Sequence, residues 1–307
     1  MRVEFNKLEH ENRELIYTLD VSPDGKLLAL GQQSDPAGHA YLTLWDLETL
    51  TMLRVVESKP QKLIFRTRFS PDGRTLVYAK SDSAIYFHDL KSQETFKPEQ
   101  PDDDVRWLSF AVTENRLVTA GSMIQVWDAE RRIVLNALPG GASAQSPDQL
   151  ALAALSPDGT QVAVAGDGTG TVSLHDSLTG AKLKTLDGAP NRARWVSFSP
   201  HARYLAVIEY YSHGAFLWDL RSGQRHLPEI FNEKSEEYWS LSFHPDGERL
   251  AFGMLSDYVV IARLQDGKFI FDKPVHQGRV WDLTFTHDGK RLISGGDDGI
   301  AYVWNLS

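Results

Sequence analysis

The chain has 307 residues and a formal net charge of −9, with 42% hydrophobic residues, 24% charged residues and no cysteine. The acidic balance disfavours a nucleic-acid backbone as the main partner, because phosphate binding needs a clustered basic surface. Without cysteine, disulfides, thiol catalysis and cysteine-ligated zinc are excluded, and a reducing compartment such as the cytoplasm is expected. There is no run of about 18 apolar residues, so no transmembrane helix or membrane partner is expected.

A turn signature recurs along the chain. It reads SPDG at 22–25, 70–73 and 156–159, with the variants SPHA at 199–202, HPDG at 244–247 and THDG at 286–289. An aromatic residue or histidine followed by an acid or amide recurs in LWDL (44–47), FHDL (87–90), VWDA (126–129), LHDS (174–177), LWDL (217–220) and VWNL (303–306). The spacing is about 43 residues, and a sixth, degenerate unit has IARL at 261–264.

Each unit contains four strand-like segments. Before the turn, apolar residues alternate, as in Leu19/Val21 and Leu283/Phe285, which indicates a strand with one buried face. A second apolar run, the segment with the aromatic–acid pair and a weaker fourth segment follow, and no stretch has a sustained helical pattern. Seven such units predict an all-β, seven-bladed β-propeller with four antiparallel strands per blade, as a single domain over residues 1–307.

These motifs resemble the WD-repeat family along essentially the whole chain. The seventh unit matches best, with His276, THDG, SGGDDG and VWN. The resemblance implies a structural hydrogen-bond network of His276, Ser294, Asp298 and Trp304. It also implies a non-enzymatic scaffold that binds a protein or peptide on the top face around the central channel, as part of a larger complex. The seventh unit supplies only three strands, so we expect the N-terminal segment 2–8 to complete the last blade and close the ring.

Other patterns suggest chemistry less strongly. His276, Ser294 and Asp298 have the residue types of a hydrolase triad, but the structural network is the favoured interpretation. The segment AGDGTGTV (165–172) resembles a phosphate loop, yet it leads into a strand rather than a helix. The alternative function is a propeller-type hydrolase or lactonase with a metal at the channel mouth, to which Asp282 would contribute. The other blades offer no convergent carboxylates, so no catalytic residue, metal or cofactor is predicted.

Aromatic residues mark the start of the innermost strand in most blades. Tyr17, Phe65, Trp239 and Trp281 lie five residues before the turn, whereas Trp107 and Trp195 lie four before it. Strand alternation sends the two sets to opposite sides, so we expect the first set to pack between blades and the second to be exposed at the channel mouth. Arginine beside aromatics is typical of protein-binding hot spots. The predicted partner-binding residues are Arg66, Arg106, Trp107, Arg194, Trp195, Tyr238, Trp239, Trp281, Asp282, Asp102, Asp103 and Asp104.

The charge of the partner is left open between two interpretations. The loops PDDD (101–104) and EKSEE (233–237) are either ordinary solvated loops or a negative rim that steers a basic partner. Arginines near aromatics could also suit nucleic-acid stacking, but the net charge disfavours it. The loop 139–149 in the fourth unit is expected to interrupt the aromatic ring, so that the contact surface is a crescent. We expect a protein that is monomeric on its own.

Overall fold

The computed structural model describes residues 3–9, 14–33, 39–60, 63–99, 105–140, 152–165, 170–189, 193–209, 215–226 and 237–306. Across these ranges there is no helix with the length and apolar character needed to cross a membrane.

Strands account for all regular structure in these ranges and form seven four-stranded antiparallel sheets, here called blades 1 to 7. Blades 1 to 4 comprise β2 (Leu15–Val21), β3 (Leu27–Gln33), β4 (His39–Asp46), β5 (Thr51–Pro60); β6 (Ile64–Phe69), β7 (Thr75–Lys80), β8 (Ala84–Asp89), β9 (Thr95–Phe96); β10 (Trp107–Phe110), β11 (Arg116–Ala120), β12 (Met123–Asp128), β13 (Ile133–Pro139); and β14 (Leu152–Leu155), β15 (Gln161–Ala165), β16 (Thr171–Asp176), β17 (Lys182–Asp187). Blades 5 to 7 comprise β18 (Ala193–Phe198), β19 (Tyr204–Glu209), β20 (Ala215–Asp219), β21 (Gln224–Arg225); β22 (Tyr238–Phe243), β23 (Arg249–Met254), β24 (Tyr258–Arg263), β25 (Phe269–Pro274); and β26 (Val280–Phe285), β27 (Arg291–Gly296), β28 (Ile300–Leu306), β1 (Val3–Glu9). The predicted seven-bladed propeller is confirmed.

The recurring turn joins the innermost strand of a blade to its second strand. In blade 1, Ser22 Oγ donates to Asp24 Oδ1 at 2.6 Å and accepts from the backbone N–H of Leu27 at 2.9 Å. Burial alone would raise the pKa of Asp24, but hydrogen bonds from Ser22 and the Lys26 N–H hold that pKa below its usual value. Gly25 closes the turn with φ of 72°, a left-handed conformation that glycine adopts without strain. These turns define the bottom face, and the innermost strands begin at the top face.

The core is distributed between neighbouring blades rather than gathered at one centre. Val77 and Phe87 of blade 2, for example, form one buried cluster with Leu108, Leu117 and Trp127 of blade 3. Because each sheet buries both faces against its neighbours, every blade depends on the ring being complete.

The ring closes through the N-terminal strand, as predicted. β1 pairs antiparallel with β28, from Val3 opposite Leu306 to Glu9 opposite Ile300. Leu8 is 3% exposed and joins the cluster that contains Ile16 and Ile293, between blades 7 and 1. The strand therefore covers the edge of β28 and contributes to the core.

The first prediction concerns Ala202, which takes the glycine position in the variant turn of blade 5 with φ of 50°. A left-handed non-glycine residue costs about 1–2 kcal/mol, whereas glycine costs about 0.5–1 kcal/mol of chain entropy. We expect Ala202→Gly to raise the free energy of unfolding by about 0.5–1 kcal/mol in denaturant titrations. The reciprocal change is Gly25→Ala, where an added Cβ meets nothing within 4 Å. It should lower the free energy of unfolding by a similar amount. If both variants were as stable as the wild type, the strain argument would be wrong.

The second prediction concerns ring closure. Deleting residues 1–9 removes the buried Leu8 side chain and opens the edge of β28, which should cost about 3 kcal/mol. We expect the melting temperature to fall by roughly 5–10 °C in circular dichroism, given the size of the chain. Glu4→Ala, an exposed change in the same strand, is the control and should leave melting unchanged. An unaltered transition in the deletion variant would mean that β1 does not stabilise the ring.

Candidate functional site

The His276 network ties the loop before β26 to blade 7. Trp304 Nε1 donates to Ser294 Oγ at 3.0 Å, Ser294 Oγ lies 2.8 Å from His276 Nε2, and His276 Nδ1 lies 3.0 Å from Asp298 Oδ1. An ionised carboxylate only accepts, so Nδ1 carries the proton and Nε2 accepts from the serine hydroxyl. Burial would raise the pKa of Asp298, but hydrogen bonds from His276 and from the backbone N–H groups of Ile300 and Gln277 bring that pKa below its usual value. Ser294 is 0% exposed, so no substrate can reach its hydroxyl.

Other blades anchor the corresponding side chain on different acceptors. The contacts are Trp45 Nε1 to Thr43 Oγ1 at 2.9 Å, Trp127 Nε1 to Thr119 Oγ1 at 3.1 Å, Trp218 Nε1 to the Asp187 carbonyl at 3.3 Å, His88 Nδ1 with Thr95 Oγ1 at 3.0 Å and His175 Nε2 with Ser173 Oγ at 2.9 Å. Each contact satisfies a buried ring nitrogen. Thr119 lies opposite Gln125 as Ser294 lies opposite Tyr302, so blades 3 and 7 use the same position. Blades 1 and 4 instead use a hydroxyl two residues before the ring.

A β-bulge near the top of the innermost strand changes which side chains face solvent. In blade 1, Ile16 pairs with Gln32 and Thr18 with Gly31, which leaves Tyr17 as the extra residue of the bulge. The same shift makes Phe65, Arg194, Trp239 and Trp281 the extra residues in blades 2, 5, 6 and 7. A bulge interrupts strict alternation and re-aims its side chain.

The expectation drawn from alternation was therefore wrong for the tryptophans. Trp107 and Trp195 are 6% and 5% exposed, whereas Trp239 and Trp281 are half-buried at the channel mouth. In blade 5, Trp195 lies opposite Ile208. In the other six blades, small residues lie opposite the position four before the turn, where they leave room for the inward side chain. They are Gly31, Ala79, Ala120, Ala165, Gly253 and Gly295.

Arg66 crosses the channel from blade 2 and contacts tryptophans of blades 3 and 5. Its Cζ lies 3.8 Å from the ring centroids of both Trp107 and Trp195. The two indoles are 4.9 Å apart and nearly perpendicular, at 86°. Arg66 is only 4% exposed. We call Arg66, Trp107, Trp195 and Asp282 the channel plug.

Asp282 supplies the countercharge from blade 7. Its Oδ2 accepts from Thr18 Oγ1 and the Leu19 N–H, both at 3.1 Å, and lies 3.4 Å from Arg66 Nη1. Oδ1 accepts from the Leu283 N–H at 2.9 Å. Both oxygens already accept hydrogen bonds, and Arg66 and Arg68 place positive charge beside Oδ2, which disfavours a metal cation at this carboxylate. Within the described ranges, no group of three His, Asp or Glu side chains could hold a metal ion.

Arg66 remains a cation despite its burial. Burial and the nearby Arg68 lower its pKa to about 9, and Asp282 opposes that shift. Its Nε and Nη2 have no hydrogen-bond partner among the described residues. Because the guanidinium lies over two indole rings, the π faces take the place of those acceptors.

Above the plug, four aromatic rings form a continuous arc on the channel mouth. Tyr17 stacks on Trp281 with centroids 4.7 Å apart, and its ring lies 6.5 Å from Phe65. Trp239 meets Trp281 edge-on at 5.2 Å. We call Phe65, Tyr17, Trp281 and Trp239 the aromatic arc; it runs over blades 2, 1, 7 and 6.

Three arginines accompany the arc, here called the arginine rim. Arg194 Cζ lies 3.1 Å from the centroid of Trp239, and Arg106 Cζ lies 5.6 Å from that of Phe65, so they occupy the two ends. Arg279 lies 5.2 Å from both Trp239 and Trp281. Asp297 fixes this side of the mouth, since it accepts from Trp281 Nε1 at 2.5 Å and from the Arg279 N–H at 3.0 Å.

The remaining residues predicted for partner binding are placed elsewhere. Tyr238 is fully buried, with its ring 4.7 Å from Phe252, so it belongs to the core and not to the surface. Asp102, Asp103, Asp104 and residues 233–236 lie outside the described residues, as does segment 141–151, on which the predicted crescent depended. In the segment 165–172, Thr171 begins β16, and residues 166–169 are outside the described ranges.

Below the plug, the channel widens into a cavity of about 220 Å³. Its walls include Asp20, Arg68, Ser197 and Phe243, and Trp107 of the plug also lines it. Burial raises the pKa of Asp20, although the positive charge of Arg68 opposes the shift. The plug thus separates this cavity from the aromatic arc.

The third prediction tests the plug as a double-mutant cycle. Arg66→Met leaves the buried Asp282 with only Arg68 at 3.6 Å as a cation, and Asp282→Asn leaves Arg66 buried beside Arg68 without its carboxylate, so each should cost about 3–5 kcal/mol. The double variant should cost clearly less than the sum, because neither charge is then stranded. Urea unfolding gives the four free energies. Arg203→Met, at a half-exposed arginine paired with Asp219, is the control and should cost less than about 1 kcal/mol. Additive costs would show that Arg66 and Asp282 act independently.

Comparison with known proteins agrees with this architecture. The family model described as "WD domain, G-beta repeat" matches residues 267–305, which include the complete network of blade 7. Protein SOF1 of Saccharomyces cerevisiae is 22% identical over 188 residues, covering 61% of this chain and 37% of that protein. The "U3 small nucleolar RNA-associated protein 18 homolog" of Arabidopsis thaliana is 36% identical over 74 residues, covering 24% of this chain and 13% of its own length.

A solved structure shares the whole fold. One chain in "Crystal Structure of Mitotic Checkpoint Complex" superposes with a TM-score of 0.80 at 17% identity, over 98% of this chain and 91% of that chain. The sequence relatives, by contrast, are matched over only about a third of their length or less. The seven four-stranded blades, the Trp-Asp strand ends and the matched repeat together identify the chain as a WD-repeat β-propeller.

Proposed function

We propose that this protein is a non-enzymatic interaction scaffold that binds a protein or peptide on its top face, at the channel mouth. The observation that carries the proposal is the aromatic arc with its arginine rim. Four half-buried aromatic rings and three arginines, side by side on the channel mouth, have the composition of an interface hot spot.

The arc is pre-organised for binding. Its rings contact one another, and Phe65, Trp239 and Trp281 stand on bulges fixed by strand pairing on both sides. A surface whose side chains are already ordered loses little conformational entropy when a partner binds. The contact set that we propose keeps Arg106, Arg194, Trp239 and Trp281 from the sequence prediction and adds Tyr17, Phe65 and Arg279.

The plug has a different part in this proposal. Trp107, Trp195, Arg66 and Asp282 are too buried to meet a partner directly, so they form the floor on which the arc rests. The engaged carboxylate of Asp282 also disfavours the alternative function, a hydrolase or lactonase with a metal at the channel mouth, because that site would need Asp282 as a ligand.

Membership of a larger complex is part of the proposal, since the structural neighbour comes from a complex and the Arabidopsis relative is named for association with an RNA. The name of that relative makes nucleic acid and the nucleolus settings to test beside the cytoplasm. The cytoplasmic location, the monomeric state and the lack of nucleic-acid binding stay predictions.

The fourth prediction tests the top face by quantitative affinity capture from the source cells. Trp239→Ala/Trp281→Ala removes the two largest rings of the arc and should reduce capture of the partner at least about 10-fold, as expected for loss of hot-spot residues. Phe96→Ala changes an exposed aromatic on the outer strand of blade 2 and should leave capture unchanged. Equal melting temperatures establish that the variants are folded. A partner retained by the tryptophan variant would place the interface away from the mouth.

A further inference from the structure

We propose that the cavity below the plug is a binding site for a small zwitterion, such as a free α-amino acid, whose ammonium meets Asp20 and whose carboxylate meets Arg68. The cavity lies on the other side of the plug from the aromatic arc. Binding there is therefore a further function, and it does not rest on the one proposed for the top face.

One strand position provides the polar wall of the cavity. It is the residue two before the turn in each innermost strand, which by alternation faces the channel like the plug residues two places earlier. The side chains from this position that line the cavity are half-buried; they are Asp20, Arg68, Ser109, Ser197, Ser242 and Thr284, in blades 1, 2, 3, 5, 6 and 7. The volume of about 220 Å³ would hold about seven water molecules at about 30 Å³ each, or one small solute.

Asp20 has one carboxylate oxygen to spare. Its Oδ2 accepts from the Phe69 N–H at 2.7 Å, whereas Oδ1 has no hydrogen-bond partner among the described residues and is open to the cavity. The carboxyl lies deep in the channel, and burial raises its pKa because the anion is poorly solvated there. A cation held against Oδ1 would supply the stabilisation that water does not.

Arg68 has free donors on the same cavity. Its Nη1 donates to the carbonyls of Leu19 and Thr67 at 3.1 and 2.7 Å, and the contact with Asp282 at 3.6 Å uses Nη1 as well. Nε and Nη2 form no hydrogen bond within the described ranges, and they are not sealed from solvent as the same atoms of Arg66 are. This open edge of the guanidinium is the one that can bind a carboxylate with two parallel hydrogen bonds.

The acid and the base share the cavity without neutralising each other. Among the described residues, the ion pair of Arg68 is with Asp282 and not with Asp20, although the charge of Arg68 lowers the pKa of Asp20 against the effect of burial. A simple anion in the cavity would be repelled by Asp20, and a simple cation would be repelled by Arg68. An α-amino acid carries both charges on groups attached to one carbon, so it can satisfy the two side chains together.

Other groups around the cavity suit the rest of such a ligand. An ammonium has three N–H donors, so it needs acceptors besides Asp20. The Thr284 hydroxyl, at the same level on the neighbouring blade 7, donates to the Phe285 carbonyl at 3.4 Å, which leaves its oxygen able to accept. Trp107 and Trp195 close the upper end, where they would cover an apolar side chain of the amino acid.

The fifth prediction is tested by isothermal titration calorimetry of the full chain with each standard L-amino acid in turn. We expect at least one of them to bind at a single site. Asp20→Asn and Arg68→Gln should each weaken that binding about 10-fold or more, because each removes a charged hydrogen-bond partner. Arg68→Lys keeps the charge beside Asp282 without the fork, so it should retain only part of the affinity. The matched controls are Glu48→Gln and Arg74→Gln, exposed at the bottom of blades 1 and 2, which should bind as the wild type does.

Derivatives of the bound amino acid test the zwitterion without any change in the protein. The N-acetyl derivative removes the ammonium and the α-carboxamide removes the carboxylate, so each should bind about 10-fold more weakly or worse. The inference would be wrong if no standard amino acid bound, if either derivative bound as tightly as its parent, or if Asp20→Asn and Arg68→Gln, with unchanged circular dichroism, kept the wild-type affinity. Tighter binding of glucose, acetate or methylammonium than of any amino acid would also overturn it, because those probes are neutral or carry one charge.

Discussion

The ion pair between Arg66 and Asp282 is the interaction on which the arrangement of the channel depends. It joins blades 2 and 7, and the guanidinium brings in Trp107 and Trp195 from blades 3 and 5. A propeller otherwise holds each blade only against its two neighbours, so its centre is where strands from distant blades can meet. A charged pair at this centre fixes the side chains that form the floor of the mouth. The side chains of the aromatic arc above this floor are ordered as a result.

The repeat made the fold predictable, because turn residues, strand alternation and the Trp-Asp pair all indicated the same four-stranded unit. Pairing of β1 with β28 followed from counting strands in the seventh unit. The exposure of individual rings was not predictable in the same way. Strict alternation predicts that Trp107 and Trp195 face solvent and that Trp239 and Trp281 are buried. Trp239 and Trp281, however, are the extra residues of β-bulges, and a bulge turns its side chain to the opposite side of the strand. A bulge depends on how two strands pair, and a single sequence carries little trace of it.

Blade 7 shows why one unit resembles the family more closely than the rest. Its His276, Ser294, Asp298 and Trp304 form an unbroken chain of hydrogen bonds, and the matched family model covers this blade. Elsewhere the buried ring nitrogen finds another acceptor, for example Thr43 or the Asp187 carbonyl. The physical requirement is that the nitrogen be satisfied, and many acceptors meet it, so the sequence motif can erode while the blade remains.

The plug also divides the channel into two compartments. The cavity of about 220 Å³ below it opens towards the bottom face, and Trp107 and Trp195 close its upper end. The tryptophan pair therefore lies between an occupant of that cavity and a partner at the mouth. A partner on the top face and an occupant of the lower cavity do not compete for space.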